Sequence, residues 1–196
     1  MADQDANGAA LPVTLTVPTA ARMRALGRAL ATLLRAGDLI ILSGGLGAGK
    51  TTLTQGIGDG LGVRGPVTSP TFVIARVHPA LPHAGADGAA GLLAGRRPAL
   101  VHADAYRLGS ALELDDLDLD TDTGASVTVV EWGEGLAEGL SADRLEIAIT
   151  PGPAGLDGSA GPDDAGADMA RTVRISAAGE RWEGIKLPLA DLADRL

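Results

Sequence analysis

Residues Gly44 to Thr51 read Gly-Gly-Leu-Gly-Ala-Gly-Lys-Thr, and no other stretch constrains the fold of this chain as tightly. They satisfy G-x-x-x-x-G-K-[ST], a loop whose glycines let the backbone curl until successive N–H groups face phosphate oxygens. In that pattern Lys50 neutralises the β- and γ-phosphates and Thr51 offers its hydroxyl to magnesium. The helix that Thr51 opens adds the positive end of its dipole. Gly45, Leu46, Gly47, Ala48, Gly49, Lys50, Thr51 and Thr52 therefore form the expected nucleotide cradle. In a chain with 28 glycines a chance match is on the order of one per cent. The flanks argue against chance: the apolar run 38–43 (DLIILS) precedes the loop, and Thr51 to Leu61 can continue it as a helix.

The surrounding pattern alternates. Leu11, Val13, Leu15 and Val17 recur with the period of a half-buried strand. Pro18 and Thr19 supply a stop and an N-cap, after which Met23, Leu26, Leu30, Leu33 and Leu34 follow helical spacing up to Gly37. Residues 38–43, Val67 to Val77, Leu100 to Ala103 and Val127 to Glu131 read as further strands, with room between them for crossovers. The result is a three-layer α/β fold of the P-loop NTPase kind with a mostly parallel central sheet. Leu145 to Ile149 and Val173 to Ile175 alternate in polarity and predict antiparallel edge strands near the C-terminus. One domain spanning 11–196 is expected, with 1–10 a flexible tail and the Gly/Ala/Pro-rich stretches 80–97 and 151–170 mobile loops.

A P-loop enzyme also needs acids at the ends of neighbouring strands to hold magnesium and order the attacking water. Asp104 and Glu131 each follow an apolar run. An acid in that position is more often a solvated turn residue, but beside a P-loop each becomes a candidate site residue. The common guanine-reading sequence Asn-Lys-x-Asp is excluded, because the single asparagine is Asn7; adenine is the better expectation. With no cysteine, thiolate chemistry and disulfides are excluded, and the polar start and lack of a long apolar stretch lead us to expect a cytoplasmic protein with no membrane association. The net charge of −9, with 16 scattered Lys and Arg, argues against binding DNA and against holding RNA without a partner.

Three further motifs follow the loop in order: Ser69-Pro70-Thr71-Phe72, His102-Ala103-Asp104-Ala105-Tyr106-Arg107-Leu108 and Val130-Glu131-Trp132. Together with Leu46 to Thr52 they resemble the bacterial TsaE (YjeE) family, from about Val13 to Ile149. The resemblance implies a small ATPase of tRNA threonylcarbamoyladenosine synthesis that acts with TsaB and TsaD, reaches tRNA through those partners, and uses ATP and Mg2+. It also implies that Lys50 and Asp104 serve catalysis, that Thr51, Glu131 and Asp104 lie at the metal, that Thr71 lies in a segment that senses the γ-phosphate and that Trp132 lies beside the nucleotide. Packing is the competing role for Trp132 and the leading expectation for Phe72 and Tyr106; His102 is expected to be structural. Two positions depart from the family pattern: Gly45 stands where aspartate is common, and Met23 where a threonine near the nucleotide is common.

Two other functions stay open. The same loop and acids serve small-molecule kinases, which close arginines over the phosphates; Arg96 and Arg97 are the one adjacent arginine pair. A nucleotide-dependent interaction module without useful hydrolysis is the other, with the acidic run Glu113 to Asp120 as its docking face or, more simply, a solvated one.

Overall fold

The computed structural model describes residues 9–81, 97–108, 110, 113, 125–152 and 169–188. Nine strands and two helices follow in chain order: β1 (Ala9–Ala10), β2 (Val13–Val17), α1 (Ala20–Ala31), β3 (Leu39–Ser43), α2 (Lys50–Leu61), β4 (Ala75–His78), β5 (Ala99–Asp104), β6 (Ser126–Glu131), β7 (Arg144–Pro151), β8 (Arg171–Ala178) and β9 (Lys186–Leu187). Seven of the strands form one sheet in the order β2-β8-β7-β3-β6-β5-β4. The four in the middle, β7, β3, β6 and β5, run parallel. β8 and β2 extend the sheet antiparallel on one flank and β4 on the other.

This is the expected α/β fold, but of the two C-terminal strands expected to be antiparallel edges only β8 is antiparallel to the parallel block, while β7 runs parallel to β3 and joins that block. β7 and β8 are each hydrogen-bonded on both sides, so β2 takes the outer edge. Every residue of β6 is buried, as are Leu39 to Leu42 of β3, which explains their near-continuous apolar runs. β7 buries only alternate residues, Leu145, Ile147 and Ile149.

Both helices cover one face of the sheet. Thr19 caps α1 as expected, its hydroxyl accepting from Arg22 N at 3.2 Å. Met23, Leu26 and Leu30 then join Leu53 and Ile57 of α2 over Ile40, Leu42, Val129, Ile147 and Val173. The two helices cross with their backbones almost touching: a Cβ on Gly27 would lie 2.4 Å from Leu53 O, and one on Gly56 2.2 Å from Arg24 O. On the opposite face Leu39, Ile41, Val101, Ala103 and Val130 meet Ala105 and Ala137, with Leu136 and Leu140 packed against them. At the far end of β3, Asp38 is clasped by Arg181 through Nε–H···Oδ1 at 3.1 Å and Nη2–H···Oδ2 at 3.0 Å, which fixes the C-terminal segment to the strand that leads into the loop.

Three expectations change. The run from Val67 to Val77 is a strand only over Ala75–His78, because Val73 N and Ile74 N both fold back onto Pro70 O and Ile74 takes a left-handed φ of 68°. Ala9 and Ala10, assigned to the tail, pair with Leu187 and Lys186. Pro151 ends β7, and Gly152 N donates to Ala170 O, so the second loop is closed at its base. Residues 1–8, 82–96, 153–168, Arg96 and most of the acidic run 113–120 lie outside the described residues. Among the described residues no helix is long and apolar enough to cross a membrane.

Candidate functional site

The site gathers at the carboxyl ends of the parallel strands, where open α/β sheets bind ligands. β3 delivers the loop, β6 delivers Glu131 and β5 delivers Asp104, with Asp104 and Glu131 opposite one another in register. Leu46, Gly47, Ala48, Gly49, Lys50, Thr51, Thr52, Ser69, Thr71, Asp104, Glu131 and Trp132 line one cleft of about 190 Å³. Every site residue expected from sequence is in that lining except Gly45, whose carbonyl instead accepts from Lys50.

The loop is shaped by Gly44, at φ 138°, where a Cβ would stand 2.2 Å from Ile149 O. No other residue type fits so close to the end of β7. Lys50 turns back into the loop, donating to Gly44 O at 2.7 Å and Gly45 O at 3.0 Å. Burial lowers its pKa; the nearby Glu131 and Asp104 carboxylates pull the other way but do not cancel it. An anion arriving in the loop therefore meets a cation that gains from its company.

Thr51 and Glu131 meet directly, Oγ1–H donating to Oε1 at 2.8 Å. The same oxygen is 2.8 Å from His102 Nε2. Since a carboxylate only accepts, His102 carries its proton on Nε2; its Nδ1 is buried without a partner among the described residues. His102 is thus structural in the sense expected, but what it supports is the site's own acid.

Asp104 is held on both oxygens. Thr71 Oγ1 donates to Oδ2 at 2.6 Å, and Tyr106 N donates to Oδ1 at 2.9 Å. Asp104 N in turn donates to Ile74 O at 2.8 Å, so the Ser69–Ile74 segment is tied to this acid at two points. Ser69 Oγ lies 2.7 Å from Thr71 Oγ1.

Trp132 follows Glu131 with a left-handed φ of 59°, a conformation costing about 1 kcal/mol or more in a residue of this size. Its N–H donates to Leu42 O at 2.8 Å, and the turn brings the indole under Lys50 Nζ, 3.7 Å from the ring centroid. Trp132 is therefore a cleft residue. Packing fails as an account of Phe72 and Tyr106 as well: Phe72 is 86% exposed and Tyr106 63%, the latter leaning on Trp132 at 5.1 Å between ring centroids. These side chains sit at the rim because their motifs bend over the strand ends, where no layer covers them.

Ser69 and His102 belong to the site although neither was singled out for it; their signal was membership of the same short motifs as Thr71 and Asp104. Met23 is fully buried, its Cε 3.4 Å from the place a Cβ on Gly49 would occupy, so it backs the loop and offers nothing polar. Arg97 lies against Gly62 at the far end of α2, roughly 18 Å along the helix from the loop.

Comparisons with known proteins agree with this arrangement. Residues 17–154 match the model of the family described as threonylcarbamoyl adenosine biosynthesis protein TsaE. The chain is 56% identical over 161 residues to the tRNA threonylcarbamoyladenosine biosynthesis protein TsaE of Streptomyces coelicolor, covering 82% of this chain and 93% of that one. It is 48% identical over 143 residues to the protein of the same name from Mycobacterium tuberculosis, covering 69% and 77%. The crystal structure of Bacillus subtilis YdiB superposes with a TM-score of 0.57 at 28% identity, covering 93% of this chain and 95% of that one. With the loop, both acids and all four ordered motifs inside the matched span, the chain belongs to the TsaE family.

Proposed function

We propose that this chain binds ATP with magnesium in the cleft, hydrolyses it slowly alone, and works with TsaB- and TsaD-type partners in forming threonylcarbamoyladenosine on tRNA. The observation that carries the reading is the meeting of Thr51 and Glu131 at 2.8 Å, which sets the loop's hydroxyl against the acid of the adjacent parallel strand. Magnesium is held by one or two carboxylates, with waters and phosphate oxygens completing its shell. Thr51, Glu131 and Asp104 fit that demand, and among the described residues no group of three or more His, Cys, Asp or Glu forms the closed cage a structural metal would need. When bound, the metal supplies charge neutralisation at the β- and γ-phosphate oxygens.

The chain's own groups do the rest. The N–H groups from Gly47 to Thr52 grip the phosphates, and Lys50 exchanges Gly44 O and Gly45 O for phosphate oxygens. His102 holds Glu131 in one orientation. Asp104, released on Oδ2 when Thr71 turns to the γ-phosphate, orients the attacking water and accepts its proton. A chain of net charge −9 leaves the tRNA to its partners.

The test is ATP turnover with and without a TsaB and TsaD pair, alongside assay of the modified nucleoside. Stimulation by the pair and dependence of modification on this chain are expected. Turnover indifferent to the partners, with modification proceeding equally in its absence, sinks the proposal.

A further inference from the structure

The residues of β8 that face the helices are Val173 and Ile175, both fully buried in the core. Two positions before Val173, on the same face by the period of a strand, stands Arg171. An apolar row thus ends in a guanidinium at the rim where the loop sits. Arg171 lies opposite Pro151 of β7 and Val17 of β2, and its side chain reaches across the end of β7: its Nε is 3.9 Å from the point a Cβ on Gly49 would occupy. Among the described residues it makes no ion pair; Nη1 donates to Met169 O. A half-buried arginine beside a phosphate loop, with no carboxylate among the described residues to hold its head, offers planar donors to a ligand.

Which part of the ligand follows from topology. The loop strand β3 has β6 and β5 on one side and β7 and β8 on the other. Both acids come from the first side, so the γ-phosphate end of a bound nucleotide faces that way and the nucleoside leaves toward the second. Arg171 stands on the second side, beyond the residues 17–154 that the family model matches. We infer that Arg171 is a nucleoside-binding residue of the loop site, its guanidinium meeting the ribose or base of the bound nucleotide. This rests on the nucleotide-binding reading above.

Calorimetric titration of the full chain with Mg·ADP and Mg·pyrophosphate separates the two ideas. Wild-type chain that binds neither ligand defeats the nucleotide reading itself. If both bind, R171A is expected to weaken ADP about tenfold and leave pyrophosphate within twofold, with R171K intermediate because it keeps the charge but not the planar fork. ADP unchanged within twofold, or ADP and pyrophosphate weakened in parallel, overturns the inference. Should the variants fail to fold, a crystal structure of the unaltered chain with ADP decides it: the guanidinium lies within 4 Å of the nucleoside or it does not.

Discussion

The two flanks of the loop strand are built on different plans. On one, β6 and β5 run parallel to β3 and are buried at every residue but Ala99, so each ends in a fixed, dry position, and the acids there are held at two points each. On the other, β7 runs parallel but buries alternate residues, and β8 and β2 turn antiparallel, so that the end of β7 (Pro151), the start of β8 (Arg171) and the end of β2 (Val17) lie side by side. Low dielectric and over-determined hydrogen bonds suit the first flank to charge that must not move, as the proposed hydrolysis requires. The second flank presents Pro151 exposed and Arg171 half-buried, an arrangement that suits the proposed hold on the inert part of a ligand. One sheet thereby separates reacting from holding.

If that division is right, the largest effects follow from changes to the buried acids. Asp104→Ala should reduce ATP turnover by about 10²–10⁴-fold, the range for losing a general base. Partner-dependent tRNA modification measured on the same variant discriminates further: modification surviving without hydrolysis would make the chain an interaction module. Next in size is the hinge between the flanks. Gly44→Ala forces a Cβ into Ile149 O in a backbone region closed to alanine, and a stability loss of about 2–4 kcal/mol by denaturant titration is expected. A loss under about 0.5 kcal/mol would show that loop and β7 are not in the contact described.

How much of this was legible beforehand follows the same divide. The acid-bearing flank was readable because its residues sit in short motifs whose chemistry is specific: a loop that grips phosphate calls for acids, and Asp104 and Glu131 were the acids ending apolar runs. What a run of residues cannot convey is the backbone that aims them. Nothing in Val73-Ile74-Ala75 announces that Ile74 takes a positive φ, and Val67 to Val77 read as one strand because its apolar residues satisfy that period while the turn at Pro70 interrupts it. Phe72 and Tyr106 read as core because aromatics usually pack, yet they stand on turns that project beyond both layers. Arg171 was invisible: its partner in space, Gly49, is more than a hundred residues earlier, and no local pattern joins them.

His102 sharpens the comparison by asking how much the dry flank depends on its supports. Removing the Nε2–H with His102→Leu leaves Glu131 held by Thr51 alone. Outer hydrogen bonds of this kind are worth roughly 10–100-fold, and the loss should appear as a higher magnesium concentration for half-maximal ADP binding, followed by Trp132 fluorescence. His102→Gln, which can place an N–H near the same point, should recover part of it. An unchanged magnesium requirement in the leucine variant would reduce His102 to packing.

The smallest effect is expected at Gly45. Aspartate is common there in the family, and its absence here invites the idea that the loop is impaired. The structure gives a different reason. Gly45 is exposed, a Cβ on it would meet nothing within 4 Å, and its φ lies outside the left-handed region. What it contributes to the site is the carbonyl that accepts from Lys50, which any residue supplies. Gly45→Asp should therefore shift stability by no more than about 0.5 kcal/mol, in keeping with a surface substitution. Its added charge stands at the mouth of a site meant for anions, so Mg·ADP affinity should fall slightly, by less than about threefold at 0.15 M salt, where screening acts over about 8 Å. A larger fall that salt does not remove would mean that the loop's mouth is less open to solvent than its exposure implies, and that the loop, too, works in a low dielectric.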